Sequence, residues 1–248
     1  MTDLIITKEN NGIFTIILNR FDKKNALNTI MYQQLCQHFV YAKNNIHIHC
    51  MLIHGDDNCF CAGNDLQDFI ENSENDDSLA ALDFVKVLSQ FNKPIVAAVA
   101  GAAVGIGTTL LLHCDMVIAA NNAKFKLPFS QLGLCPEAGS SLLLTRLIGQ
   151  NCAFELMVLG NTFSAEQALQ YGIANQVCLP NELLSIGEKI ANTISRLPND
   201  AVMTSRKLIR QASQSRLSQV IENEGNEFSR LVNTPECKAI LGQFLNPK

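Results

Sequence analysis

The chain has 248 residues, 47% hydrophobic and 17% charged, with 19 Lys plus Arg against 23 Asp plus Glu and a formal net charge of −4. That length holds one large domain or two small ones with an ample apolar core, and the composition excludes a disordered chain. Mild acidity argues against a nucleic-acid binder, and nine irregularly spaced cysteines fit free thiols in a reducing compartment rather than a disulfide framework.

The first twenty residues predict a hairpin. Leu4-Ile5-Ile6-Thr7 and Ile13-Phe14-Thr15-Ile16-Ile17-Leu18 are β-branched runs, and Asn11-Gly12 between them suits a turn with positive φ. A helix is expected from Asn28 to about Lys43, with Leu27, Ile30, Met31, Leu35 and Phe39 on one face. His47 to Ile53 reads as a buried strand ending in the turn Gly55-Asp56-Asp57-Asn58, and Cys59 to Leu66 as a small-residue loop entering a helix. Glu71 to Ser78 is acidic and poor in apolar residues, as a solvated loop would be.

Further on, Leu79 to Phe91 reads as a helix and Pro94 to Val99 as a strand. Gly105 to Cys114 is expected to be helical, Met116 to Ala120 a strand, and Pro136 to Leu147 a helix with Pro in its first turn. From Pro94 to Cys114 there is no Asp, Glu, Lys or Arg, enough for a span of about 20 residues. Three interrupting glycines, at 101, 105 and 107, instead fit a buried strand, a turn and a buried helix. Alternating strands and helices mean α/β architecture with parallel sheets. After about Pro198, Ala201 to Asn233 and Pro235 to Phe244 read as helices, which suggests a core of residues 1–197 and a helical region of 198–248 packing on a neighbour.

Familiar site patterns fail in turn. Gly101 to Gly107 does not match G-x-G-x-x-G, no phosphate loop ends in G-K-[ST], and no G-x-S-x-G elbow exists. Cys59-x-Cys61 and His47-x-His49 offer two ligands each, which do not make a metal site, so none is expected. Two turns remain, Ala62-Gly63-Asn64-Asp65 and Val104-Gly105-Ile106-Gly107. Each either packs tightly against a strand or presents free N–H groups that together favour an enolate oxygen. The third feature is Glu137, in Leu134-Cys135-Pro136-Glu137-Ala138-Gly139. It either complements a helix dipole, or faces an apolar pocket that raises its pKa and makes it a base.

Taken together these segments resemble the enoyl-CoA hydratase/isomerase (crotonase) superfamily along nearly the whole chain. The resemblance is carried by Lys24-Asn25-Ala26-Leu27-Asn28, by Phe60 to Leu66, by Lys93 to Gly105 and by Cys114-Asp115. It implies a spiral of ββα units with a helical carboxyl-terminal region, a homotrimer or dimer of trimers, and acyl-CoA thioester substrates, with coenzyme A part of the substrate and no separate cofactor. Two backbone N–H donors to an enolate fall on Asn64 and Ile106. The usual glycine is replaced at Ile106, which leaves a backbone donor intact. The two glutamates of the family's hydratases correspond to Thr109 and Phe129, neither able to activate water.

The loop carrying Glu137, together with Pro128-Phe129-Ser130, is similar to the peroxisomal type of Δ3,Δ2-enoyl-CoA isomerase, in which a single glutamate shuttles the proton. Substrate is then expected along Lys24, Asn25, Ala26, Ala62, Gly63, Asn64, Asp65, Leu66 and Gly105, with Phe129, Leu132 and Leu134 keeping the site dry. Arg206 and Lys207 either meet phosphates or belong to a solvated helix face. The amino terminus, Met1-Thr2-Asp3-Leu4, has no signal-peptide regions and Asn246-Pro247-Lys248 is no peroxisomal address, so a cytoplasmic, membrane-free location is expected. Alternatives are a ring-epoxide isomerase of the same superfamily, which typically carries Asp in place of Glu137, a hydratase-like member, and a non-catalytic acyl-CoA or RNA-binding member.

Overall fold

The computed structural model describes residues 3–68 and 79–245; the acidic stretch 71–78, read above as a solvated loop, lies outside them. The strands are β1 (Ile5–Asn10), β2 (Ile13–Leu18), β3 (Cys50–His54), β4 (Cys59–Cys61), β5 (Ile95–Val99), β6 (Ala102–Val104), β7 (Met116–Ala120), β8 (Lys124–Lys126), β9 (Phe163–Ser164) and β10 (Gln176–Cys178). They form a six-stranded sheet in the order β1-β2-β3-β5-β7-β10 and a four-stranded sheet in the order β4-β6-β8-β9. β1 and β2 pair antiparallel around Asn11 (φ 51°) and Gly12 (φ 75°), the two left-handed residues that the Asn-Gly pair supplies. From β2 onward each neighbour in the large sheet is parallel, as the strand–helix alternation predicted.

Alternation along each strand divides the core in two. Met51, Ile53, Ile95, Ala97 and Val99 face the helices α1 (Thr29–Asn44) and α2 (Leu79–Ser89), where Met31, Leu35, Phe39, Phe84 and Leu88 complete one cluster. Cys50, Leu52, Val96 and Ala98 face the other way, against Leu183, Ile190 and Ala191. α1 starts where Asn28 accepts from the Met31 N–H, a side-chain cap. Ile30, expected on its buried face, is 54% exposed. It sits one residue, about 100°, off the stripe formed by Met31, Leu35, Phe39 and Ala42.

The glycine-rich stretch 101–107 holds the short strand β6 and then α3 (Ile106–Thr109), which runs on as a tighter turn to His113. The helix expected from Pro136 begins only at Ser140, as α4 (Ser140–Ile148). Ala138 (φ 58°) and Gly139 (φ 72°) are both left-handed, which no right-handed helix accommodates. The chain continues through α5 (Gln150–Phe154), α6 (Ala165–Gln170) and α7 (Pro180–Arg196), the helix that covers the second core face. Two helices follow, the 34-residue α8 (Asn199–Val232) and α9 (Pro235–Leu245). Among the described residues no helix is long and apolar enough to cross a membrane.

α8 is tied to the sheet by charge. Asp115 accepts from the Ile95 N–H (2.9 Å), Arg206 Nε (2.8 Å) and Arg210 Nη2 (2.9 Å). Arg206 is therefore not part of a solvated face; it is buried and anchors the helix, while Lys207 is exposed.

Candidate active site

Two short parallel strands bring the two glycine turns side by side. β4 pairs with β6 so that Cys61 lies opposite Ala103, and each chain reaches its turn three residues later, at Asn64 and Ile106. At the first turn the Leu27 N–H donates to Gly63 O (2.8 Å) and the Asp65 N–H to Leu27 O (2.9 Å). Alternation of the extended backbone then points the Asn64 N–H away from Leu27. At the second turn Gly105 adopts φ 53° and ψ −120°, and Ile106 opens α3, where a first-turn N–H has no acceptor within the helix. Gly107 is obligatory for this approach, because an added Cβ would stand 2.4 Å from Cys61 O. Neither amide donates a hydrogen bond within the described residues.

Both turns border a cavity of about 230 Å³. Of the residues expected at the site, Ala62, Gly63, Asn64, Leu66, Gly105, Ile106, Phe129, Leu132, Leu134 and Glu137 line it, joined by Phe228 from α8. A smaller space of about 20 Å³ continues past Glu137, walled by Tyr32, Val85 and Val232 and again by Asn64, Ile106 and Phe228. Larger hollows of about 380 and 430 Å³ flank Arg206 on α8, and their one carboxylate, Asp115, is already tied to both arginines.

Four expected residues have other work. Asn25 is fully buried; its amide donates to Cys59 O and Phe60 O (3.1 Å each) and its carbonyl oxygen accepts from the Arg20 N–H (2.8 Å). Asp65 pairs with Arg20 (2.6 Å) and accepts from the N–H groups of Gln67 and Asp68, so its side chain caps the following turn. Lys24 is exposed and left-handed (φ 50°), and its carbonyl receives the Ala62 N–H (3.0 Å). Ala26 gives its carbonyl to Arg20 (2.9 Å). None of the four lines the cavity; the motif's polar residues hold the turn in shape instead.

Glu137 is 7% exposed and receives a 2.5 Å hydrogen bond from Thr109 Oγ1. Burial pushes its carboxyl up to about 8, against the opposing pull of the Thr109 hydrogen bond and with a further push from the charge of Glu224. Two residues of this neighbourhood had no signal in the sequence. The Tyr32 hydroxyl donates to Asn64 Oδ1, fixing the side chain of the turn residue, and burial raises its pKa well above the usual phenol. Glu224 on α8 accepts from the Gly139 N–H (2.6 Å) and the Ser141 N–H (2.9 Å) at the start of α4. Together these groups present two free amide donors and one dry, basic carboxylate to an apolar cavity, the equipment for moving a proton next to a carbonyl.

The chain matches the family model described as enoyl-CoA hydratase/isomerase over residues 8–247. It belongs to that family. Among curated relatives, the 1,2-epoxyphenylacetyl-CoA isomerase of Escherichia coli (strain K12) is 33% identical over 93% of this chain and 90% of its own length. The enoyl-CoA delta isomerase 2 of Homo sapiens is 31% identical over 99% of this chain, which spans 64% of that longer protein. Of solved structures, Pseudomonas aeruginosa OdaA superposes with a TM-score of 0.94 at 40% identity, covering 99% of this chain and 100% of the other. The enoyl-CoA hydratase/isomerase from Pseudoalteromonas atlantica T6c gives 0.93 at 34% identity over 99% and 98%. The mixed α/β crotonase fold and an acyl-CoA thioester chemistry follow from membership.

Proposed function

We propose that this enzyme is a Δ3,Δ2-enoyl-CoA isomerase working through Glu137. The thioester carbonyl oxygen sits between the N–H groups of Asn64 and Ile106. Ionised Glu137 takes the proton from C2, and the electron pair spreads through the double bond to that oxygen as a dienolate. The protonated carboxyl then delivers the same proton to C4, leaving a trans-2-enoyl-CoA and a carboxylate ready for the next turn. Each hole donor is worth about 10²–10³ in rate. A pKa of about 8 suits both halves of the cycle, since the group is basic enough to accept a carbon-bound proton and acidic enough to return it. The CoA portion runs past the exposed Lys24 edge beside Ala62.

The observation that carries this reading is that Glu137 is the one carboxylate among the described residues bordering either space at the paired amides. Hydration needs a second group to activate water, and Thr109 and Phe129 stand where the resemblance would require glutamates. The test is turnover of 3-hexenoyl-CoA, with hydration of 2-hexenoyl-CoA measured in parallel. Glu137→Gln is expected to lose about 10²–10⁴ of the isomerase rate, and retention of most of it would refute the assignment. A ring-epoxide isomerase is the second reading, favoured by the 33% identity to the Escherichia coli 1,2-epoxyphenylacetyl-CoA isomerase. Faster turnover of a ring-epoxide CoA than of any 3-enoyl-CoA would select it.

A further inference from the structure

The turn that carries Glu137 adopts a shape its sequence does not favour, since Ala138 takes the left-handed conformation that alanine avoids. It is held from two sides. On one, His113 donates from Nε2 to Ala138 O (2.7 Å), a tautomer fixed by the carbonyl acceptor; burial lowers this imidazole to about 4 and keeps it neutral. On the other, Glu224 accepts the Gly139 N–H, the Ser141 N–H and the Ser141 hydroxyl (2.5 Å). Burial pushes the Glu224 carboxyl above the usual carboxylate range, and these three donors, all directed at it, pull it back toward the ionised form. Glu224 thus supplies the start of α4 with the capping and dipole-matching that an acid at position 137 would otherwise give. Glu137 is left outside the helix, facing the cavity.

We propose that Glu224 is a positioning residue, an anionic clamp that fixes the Ala138–Gly139 turn and so aims Glu137 at the space beside the Asn64 and Ile106 amides. The proposal rests on reading Glu137 as the proton carrier. The clamp has an electrostatic consequence, because its charge opposes ionisation of Glu137. The other titratable or charged groups around Glu137 are Tyr32, Cys61 and Cys135, which burial holds neutral, the neutral His113, and Lys126 on the wall of the same cavity.

The test combines kcat and KM for 3-hexenoyl-CoA with a carbon-13 NMR titration of the Glu137 carboxyl, assigned through Glu137→Gln, and thermal melts. Glu224→Gln keeps the volume but sets an amide N–H₂ against backbone N–H groups; Glu224→Asp keeps the charge but shortens the reach. In Glu224→Gln, kcat is expected to fall about 10- to 100-fold with KM little changed, as for a misaimed base. The Glu137 midpoint is expected to drop by about half a unit or more. In Glu224→Asp, kcat falls while the midpoint stays near that of the parent. A folded Glu224→Gln enzyme with parental kcat and an unmoved midpoint, or one that has lost only melting temperature, overturns the proposal. If Glu224→Gln does not fold, Ser141→Ala removes one of the three hydrogen bonds, and kcat is expected to fall about fivefold; parental kcat there overturns it. The titration needs no substrate. Retained turnover in Glu137→Gln would therefore refute the isomerase reading, while an unmoved midpoint refutes the clamp.

Discussion

Asp115 and Glu137 are two acids held against the same helix, α8, and they have opposite circumstances. Asp115 lies just before β7, an interior strand of the large sheet, and receives a backbone N–H and two guanidinium groups; its side chain is 23% exposed. Glu137 lies in an apolar wall with a single hydroxyl donor. A carboxylate saturated with donors is committed to structure, because its lone pairs are occupied and its charge is matched. One with spare lone pairs in a dry cavity retains an unmet demand for a proton, and that demand is available for chemistry. The two sites were equally acidic in sequence and differ only in what the fold delivers to them.

The same chemical change, carboxylate to amide, is expected to have opposite signs at the two places. Asp115→Asn sets an N–H₂ group against Arg206 and Arg210 and removes the charge that matches them. The expected loss is about 2–4 kcal/mol of unfolding free energy, read from denaturant midpoints at pH 7.5. Glu137→Gln is expected to stabilise. In the folded protein Glu137 keeps its proton up to a pKa of about 8, whereas in the unfolded chain it ionises near the ordinary glutamate value of 4.5. Between those values the folded state binds more protons, so parental stability falls as pH rises through that window and levels off above it. The amide has no such slope, so its advantage should reach on the order of a few kcal/mol at pH 8 and vanish below pH 4.5. Equal slopes for parent and variant between pH 4.5 and 8 would break the comparison.

Much of this was readable from the chain, for physical reasons. Met116 to Ala120 is a strand as expected, and β3 and β5 fall within one to three residues of the expected limits, because buried parallel strands are continuous apolar runs. The Asn11-Gly12 turn carries its own φ preference. The site's two glycine turns were visible because glycine marks close approach. Cys59-Phe60-Cys61 and Ala102-Ala103-Val104 were not legible as strands, since three small or mixed residues carry no period. Asn25 and Asp65 stand inside the most recognisable motifs, where substrate contact is expected, yet their hydrogen bonds run to the backbone and to Arg20. The late start of α4 had no local signature, because an alanine at positive φ looks like any helical alanine. The carboxylate that accepts the Gly139 N–H lies 85 residues on, in Glu224.

The finest way to sharpen the contrast is to change the one donor Glu137 has among the described residues. Thr109→Val conserves shape and removes only the hydroxyl that stabilises the carboxylate. The hydrogen bond pulls the Glu137 pKa down against burial, so its loss should push the midpoint further up. The rise of kcat/KM with pH, expected around 8 in the parent, should then shift alkaline by about half a unit to one unit. At pH 7 the ionised fraction falls about three- to tenfold, and kcat/KM with it, while the alkaline plateau changes less. A shift toward acid would mean that Thr109 accepts from a protonated Glu137 instead of donating to its carboxylate. The base would then be held in its resting state by the very group credited with easing its ionisation.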